Sequence, residues 1–346
     1  MICPLNRLLD LGTLQKYDTL KMYEIYDNWP TFASEYYNKK VSQIDIKNVE
    51  HIVFAGMGGS GVIGDIFSAI FSKTDIHVSI VKGYHLPNTV NSNTLVITTS
   101  VSGNTIETLT VLESAKKINA KIVAFSGRGK LEEYCKKFRI EHQKIPLLHS
   151  PRASLTAYLY TALNVLMPIL PITKVDVIES ITKLEEMKKK ISSSNLTESN
   201  HSLNLAEWIN GTPLIYYPYG LQAAATRFKN SLQENAKMHA IAEDVIEASH
   251  NGIVSWEKPS NVQPILLQGK DDYIKTKERW KILKEYFREN NVEYKEICSI
   301  EGNIFSKIIT LIYLLDYSTI YLAIMSKTDP SPVRSIDFMK QRLSTI

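Results

Sequence analysis

Between residues 51 and 146, five short runs, HIVFAG, HVSIVKG, TLVITTS, KIVAFSG and IEHQKIP, alternate with stretches of helical period. Runs of this length bounded by Gly, Ser or Pro read as strands. With a helical pattern after most of them, a parallel sheet covered by helices on both faces buries them all. A helix from Ser154 to about Val165 closes the unit, ended by Pro168 and Pro171. The second half repeats the order of elements more than the residues: PLIYYPYG, a helix through Leu221 to Lys237, QPILLQG, a helix near Lys275 to Glu289, YKEICSI and a long final helix. The expected fold class is therefore α/β, with two doubly wound parallel sheets flanked by helices. Residues 1–45 read as a helical lead-in, its pattern running from Leu14 to about Lys40 with Tyr23, Tyr26 and Trp29 available to pack. Residues 46–172 form the first sheet domain. The charged helical segment and polar tract within 173–204 link it to the second, 205–346 with its C-terminal helix.

Two glycine and hydroxyl clusters fall where a strand gives way to a helix: GMGGSG at 56–61 and SVSGNTIET at 100–108. Backbone amides at a helix start point outward with partial positive charge, so an anion is welcome there without a lysine. Ser100, Ser102 and Thr105 add hydroxyl donors, and two such turns of one sheet can converge on one phosphate monoester. GMGGSG alone is also a tight turn or half of a dinucleotide fingerprint. Gly56, Gly58 and Gly61 fit that spacing, but the following strand VSIVKGY ends in Lys82 where a ribose-binding acid belongs. No GxxxxGK[ST] loop supports a nucleoside triphosphate.

Composition narrows the partners. The 346 residues, 44% hydrophobic and 22% charged, are those of a soluble globular protein, and the net charge is +4 with no basic block or aromatic-basic stripe. No nucleic-acid partner is expected. Cys3, Cys135 and Cys298 are far apart, with no CxxC, which favours a reducing, cytoplasmic compartment. MICPLNRLLDLG lacks a signal-peptide pattern. Ile308 to Met325 approaches membrane-spanning length, yet Asp316 at its middle favours a buried helix over a span. Eight scattered histidines without HxH or HExxH give no zinc motif, so no metal and no cofactor is expected.

Candidate reacting groups are individually ambiguous. Glu234 and Asn235 lie late in a helix, at its junction with an irregular segment, and read by default as a solvated helix end; His250, in a Ser-His-Asn-Gly loop, is an acid or base only if other groups converge on it. Lys340 reads as a surface lysine of a terminal helix, and Arg152 as a cap or a substrate grip. An aldose–ketose shift would use such types: a carboxylate moves the proton, a fixed guanidinium stabilises the enediolate, and histidine with lysine opens the ring.

GMGGSG, SVSGNTIET, PRAS at 151–154, QENAK at 233–237, the SHNG loop and DPSPV followed by Lys340 resemble, in this order, the bifunctional phosphoglucose/phosphomannose isomerase family. The likeness runs from about residue 50 to the end. It implies two sugar-isomerase (SIS) domains, each with a five-stranded parallel sheet, in a homodimer. It implies that Gly58, Gly59, Ser60, Ser100, Ser102 and Thr105 hold the phosphate of a hexose 6-phosphate, one site per chain. It further implies Glu234 as the base between C1 and C2, His250 as the ring-opening group supplied across the dimer interface, Lys340 as its helper and Arg152 as enediolate stabiliser. The implied reaction interconverts glucose and mannose 6-phosphates with fructose 6-phosphate, without metal. Ser331 is the nearest candidate for the hydroxyl that leaves room for mannose. Thr156 and Arg128 stand where many relatives have glycine or serine-glycine. A non-catalytic phosphosugar sensor and an aminosugar-phosphate isomerase are the alternatives.

Overall fold

The computed structural model describes residues 9–46 and 49–343, which leaves Cys3 and the start of MICPLNRLLDLG outside the described residues. The lead-in forms three helices, α1 (Leu11–Tyr17), α2 (Met22–Asp27) and α3 (Trp29–Asn38), where one helical pattern was expected. The breaks have local causes. Lys21 before α2 is left-handed (φ 58), and Pro30 occupies the first turn of α3, where a missing N–H costs nothing.

The first sheet and its helices follow as β1 (His51–Ala55), α4 (Gly59–Phe71), β2 (His77–Val81), β3 (Leu95–Ser100), α5 (Ile106–Lys117), β4 (Lys121–Ser126), α6 (Lys130–Phe138) and β5 (Glu141–Lys144). All five strands are parallel, in the order β2-β1-β3-β4-β5. The central strand β3 is buried along its whole length, as its unbroken LVITTS run requires. The order reverses between β1 and β3, so their following chains depart to opposite sides and leave a crevice at their carboxyl ends. GMGGSG and SVSGNT border that crevice.

The chain continues through α7 (Leu155–Leu166), α8 (Lys174–Ile191) and α9 (His201–Trp208) to β6 (Thr212–Tyr217), α10 (Gln222–Asn235), β7 (Ile241–Asp244), α11 (Val245–Ala248), β8 (Val262–Gln268), α12 (Ile274–Glu289), β9 (Lys295–Cys298), α13 (Ile304–Met325) and α14 (Arg334–Leu343). The second sheet is parallel but has four strands, order β7-β6-β8-β9, not the five that the resemblance implied. One of the four, β7, was not foreseen. Its IAED sequence has two acids and no β-branched run; pairing along β6, Leu214 with Ile241 through Tyr217 with Asp244, holds it extended.

α13 is long and apolar enough to cross a membrane, yet 94% of its apolar window is covered by protein. It packs on α8, α9, α10 and α4. Ile52 and Ile97 of the first sheet, Ile215 and Ile265 of the second, and Ile312 and Ile320 of α13 belong to one buried cluster, so the core runs through both halves. Asp316 lies at the middle of this helix with no exposed surface. What pairs with it determines how the crevice is built.

Candidate active site

The glycine- and hydroxyl-rich end of the crevice is assembled locally. α4 and α5 both begin without a side-chain cap, although the Ser60 and Gly61 amides of α4 turn back to the Met57 carbonyl. The Ser100 hydroxyl accepts from the Gly103 amide at 3.1 Å and shares a hydrogen bond with the Thr105 hydroxyl at 2.9 Å. Ser102 Oγ accepts from the Asn104 amide at 3.2 Å. Gly103 has φ +70, and a Cβ there would lie 1.5 Å from the Arg128 carbonyl oxygen, so no other residue fits. Lys82, which stands in place of a ribose-binding acid, is paired with Asp65 of α4 at 2.6 Å.

The opposite end is built from distant segments around Arg152. Its guanidinium, 3% exposed, donates through Nε to Asn235 Oδ1 at 2.6 Å and through one terminal nitrogen to Glu234 Oε2 at 3.1 Å. The other terminal nitrogen donates to the carbonyls of Pro330 at 2.6 Å and Ser331 at 3.0 Å. One planar fork thus fixes QENAK of α10 and DPSPV together. A lysine has no geometry for all four.

Arg152 is itself positioned by a buried ion pair. Arg227, 2% exposed, bonds Asp316 at 2.6 Å and donates to the Arg152 carbonyl at 2.7 Å. Asp316 also accepts from the hydroxyls of Tyr26 at 3.0 Å and Ser231 at 2.7 Å. Burial works to lower the Arg227 pKa, but the adjacent Asp316 carboxylate more than offsets it and holds the guanidinium above its ordinary value. The neighbouring Ala153 carbonyl accepts from the Trp29 indole at 2.9 Å. The acid inside the apolar helix is a structural anchor of the site.

A cavity of about 760 Å³ reaches the edge of the cradle at Gly58 and is lined at its other side by Glu234, Lys237, Asp329 and Val333. That volume lies in the range of small-molecule sites, about 300–1,000 Å³. A Cβ on Gly59 would lie 3.3 Å from Arg152 Cα, so cradle and guanidinium segment are in contact. Two side chains here sit on backbone in the left-handed region, His149 at φ 65 and Lys237 at φ 56. Each costs about 1–2 kcal/mol. The Lys237 ammonium donates to the Glu234 carbonyl at 2.5 Å, and His149 Nε2 lies 3.3 Å from Ser331 Oγ.

The SIS domain family matches residues 45–140, and the bacterial phospho-glucose isomerase C-terminal SIS domain family matches residues 198–343. The bifunctional phosphoglucose/phosphomannose isomerase of Caldicellulosiruptor bescii is 31% identical over 338 residues, 94% of this chain and 99% of its own length. The chain belongs to the bifunctional phosphoglucose/phosphomannose isomerase family. The Aquifex aeolicus family member is 28% identical over 328 residues, 93% of this chain and 99% of its own. The tagatose-6-phosphate ketose/aldose isomerase of Escherichia coli superposes with a TM-score of 0.64 at 15% identity, over 93% of this chain and 92% of its own, a likeness of fold.

Of the residues to which the family resemblance gave roles, the structure brings Gly58, Gly59, Arg152 and Glu234 to one place and gathers Ser100, Ser102 and Thr105 on one turn beside Ser60 of α4. His250 and Lys340 are exposed. Among the described residues neither lines the cavity nor bonds Glu234 or Arg152. Arg128 is exposed on the turn that presses against Gly103. Thr156 is fully buried on α7, its hydroxyl without a partner among the described residues. Sequence reasoning missed Arg227, read Tyr26 only as packing material, and read Asp316 only as an obstacle to a membrane span. The signal available was that an acid inside so apolar a helix requires a buried cation.

Proposed function

We propose that this chain interconverts glucose 6-phosphate and mannose 6-phosphate with fructose 6-phosphate through ring opening and a cis-enediolate. One observation supports this most: Glu234, held by Arg152, lines the same cavity as Gly58 at the cradle, so one hexose phosphate can span both. With the phosphate held by Gly58, Gly59 and Ser60 and by the hydroxyls of Ser100, Ser102 and Thr105, the far end of the sugar carries C1 and C2 to Glu234. The carboxylate removes the C2 proton of the open aldose and returns it to C1 while the O2 hydroxyl proton passes to O1, and rotation about C2–C3 presents either epimer. Phosphate binding energy orients the reacting end. Arg152, fixed in direction, supports both the carboxylate and the developing negative charge.

Ring opening is assigned to His250 with Lys340. His250 stands on the surface, as a group supplied to a second subunit of a homodimer would, and one catalytic unit then needs two chains. Turnover needs no metal and takes place in the cytoplasm, one phosphate site per chain, with the division into 46–172 and 205–346 separating the cradle from the base. The test is a coupled assay in the presence of a chelator, with solvent hydrogen exchange at C2 as a second readout. Glu234→Gln is expected to lose at least about 10³-fold in kcat with little change in KM. Undiminished turnover in that variant removes the proposed base. Stabilisation by hexose phosphates without any exchange would turn the chain into a sensor, and turnover of glucosamine 6-phosphate alone into an aminosugar isomerase.

A further inference from the structure

Lys237 follows the C-cap of α10, where the Ala236 and Met238 amides both return to the Leu232 carbonyl. Glycine is the ordinary residue at such a left-handed position, φ 56 here. The side chain turns back to the cavity, which it lines beside Glu234. Its ammonium donates to two neutral carbonyls, Glu234 at 2.5 Å and Pro330 at 3.3 Å. An ammonium has three protons, so one remains for the cavity. Among the described residues it makes no ion pair, although Asp329 and Glu234 lie near enough to favour its charge. Partial burial, and then the Arg152 guanidinium, press its pKa below the ordinary lysine value. Arg152, by contrast, is buried, is not among the residues that line the cavity, and spends four of its five N–H donors on Asn235, Glu234 and the DPSPV carbonyls.

We infer that Lys237 is a catalytic residue, the cation at the cavity wall that donates a hydrogen bond to the negatively charged oxygen on C1 or C2 as Glu234 removes the proton. This deepens the isomerase reading and rests on it. Two cations flank Glu234; buried Arg152 holds the carboxylate, and exposed Lys237, bonded to the backbone carbonyl, lines the cavity where substrate would lie. No bond to the lysine forms or breaks. Its ammonium meets an anion that exists only after proton abstraction, so its contribution belongs to kcat.

The backbone offers a clean test. Glycine suits the left-handed conformation, so Lys237→Gly removes the side chain without straining the turn, and Lys237→Met keeps the apolar stem. With fructose 6-phosphate as substrate, both variants are expected to lose about 10²–10³-fold in kcat, with KM within about threefold of wild type. The thermal midpoint of Lys237→Gly should equal or exceed that of wild type. Ethylammonium in the buffer should restore part of the kcat of Lys237→Gly and leave wild type and Glu234→Gln unchanged. A kcat within about threefold of wild type overturns the inference, as does a loss that accompanies a lowered midpoint and does not respond to ethylammonium. A wild-type chain without turnover overturns the isomerase reading itself, and this inference with it.

Discussion

The two ends of the cavity are held by opposite means. At the phosphate cradle the hydrogen bonds close within five residues, Ser100 to Thr105, Ser102 to Asn104 and Ser100 to Gly103. At the reacting end Arg152 reaches partners 82, 83, 178 and 179 residues away. The cradle uses neutral dipoles at two uncapped helix starts; the reacting end uses charges removed from water. On the proposed reading, affinity for a phosphate would be a local property of two turns, while the position of Glu234 reports on the whole fold.

The buried pair gives the largest way to break this contrast. Asp316→Leu leaves the Arg227 charge uncompensated, and an expected loss of about 3–5 kcal/mol should appear in chemical denaturation. Combining it with Arg227→Met should recover most of that stability, because an apolar pair of similar volume suits the surrounding core. Activity should stay low in the double variant, since the Arg152 carbonyl has lost its donor. Full recovery of both would show that the pair serves packing and not the site.

Arg152→Lys comes next. A single ammonium cannot keep Asn235, Glu234, Pro330 and Ser331 in register, and displacement of the carboxylate by about 1 Å costs on the order of 10²-fold in kcat. Phosphate affinity, measured by inhibition with inorganic phosphate, should hardly change. A parallel loss of both would join the two ends that the hydrogen bonds keep separate.

The same contrast explains what could be read in advance. The cradle was legible because each of its residues is informative where it stands: a serine ending a strand, a glycine that alone fits under the Arg128 carbonyl, a threonine opening a helix. The strands of the first sheet were legible for a similar reason, as apolar runs bounded by breakers. Glu234 was not, because glutamate in a helix is ordinary until Arg152 is seen against it. Only the order of motifs along the chain pointed there. Tyr26 was noted as packing material and Arg227 went unremarked, since nothing local distinguishes an arginine that will meet an aspartate 89 residues later. Strand β7 escaped because its extended form is set by its neighbour β6.

A smaller effect sharpens the cradle side. Ser102→Ala removes one hydroxyl from the proposed phosphate contacts, and a hydrogen bond to a charged group contributes about 1.5 kcal/mol, equivalent to about tenfold. The expected change is a KM about tenfold higher with kcat nearly unchanged, the reverse of the pattern for Arg152→Lys. Equal changes in kcat would mean that the hydroxyl acts on the reacting carbon through the bound sugar.

The smallest effect is a pH dependence at the seam between PRAS and DPSPV. His149 is half-buried, with Nε2 at 3.3 Å from Ser331 Oγ. Burial first, and then the Arg152 guanidinium, lower its pKa from the ordinary 6.5, while Asp329 works the other way. The unfolded chain therefore takes up this proton at a higher pH than the folded one, and below about 6.5 the unfolded state binds more protons. Stability should fall as pH drops through 6.5, and the penalty should level off once the folded histidine is also charged. His51 and His142 are lowered in the same direction, again chiefly by burial, so the wild-type slope is a sum. His149→Gln, whose amide can still meet Ser331, isolates one share: its thermal midpoint should fall less than that of wild type between about pH 7.5 and 5. Parallel curves for the two proteins would show that this seam takes no part in the acid sensitivity of the fold, and that Arg152 alone holds it.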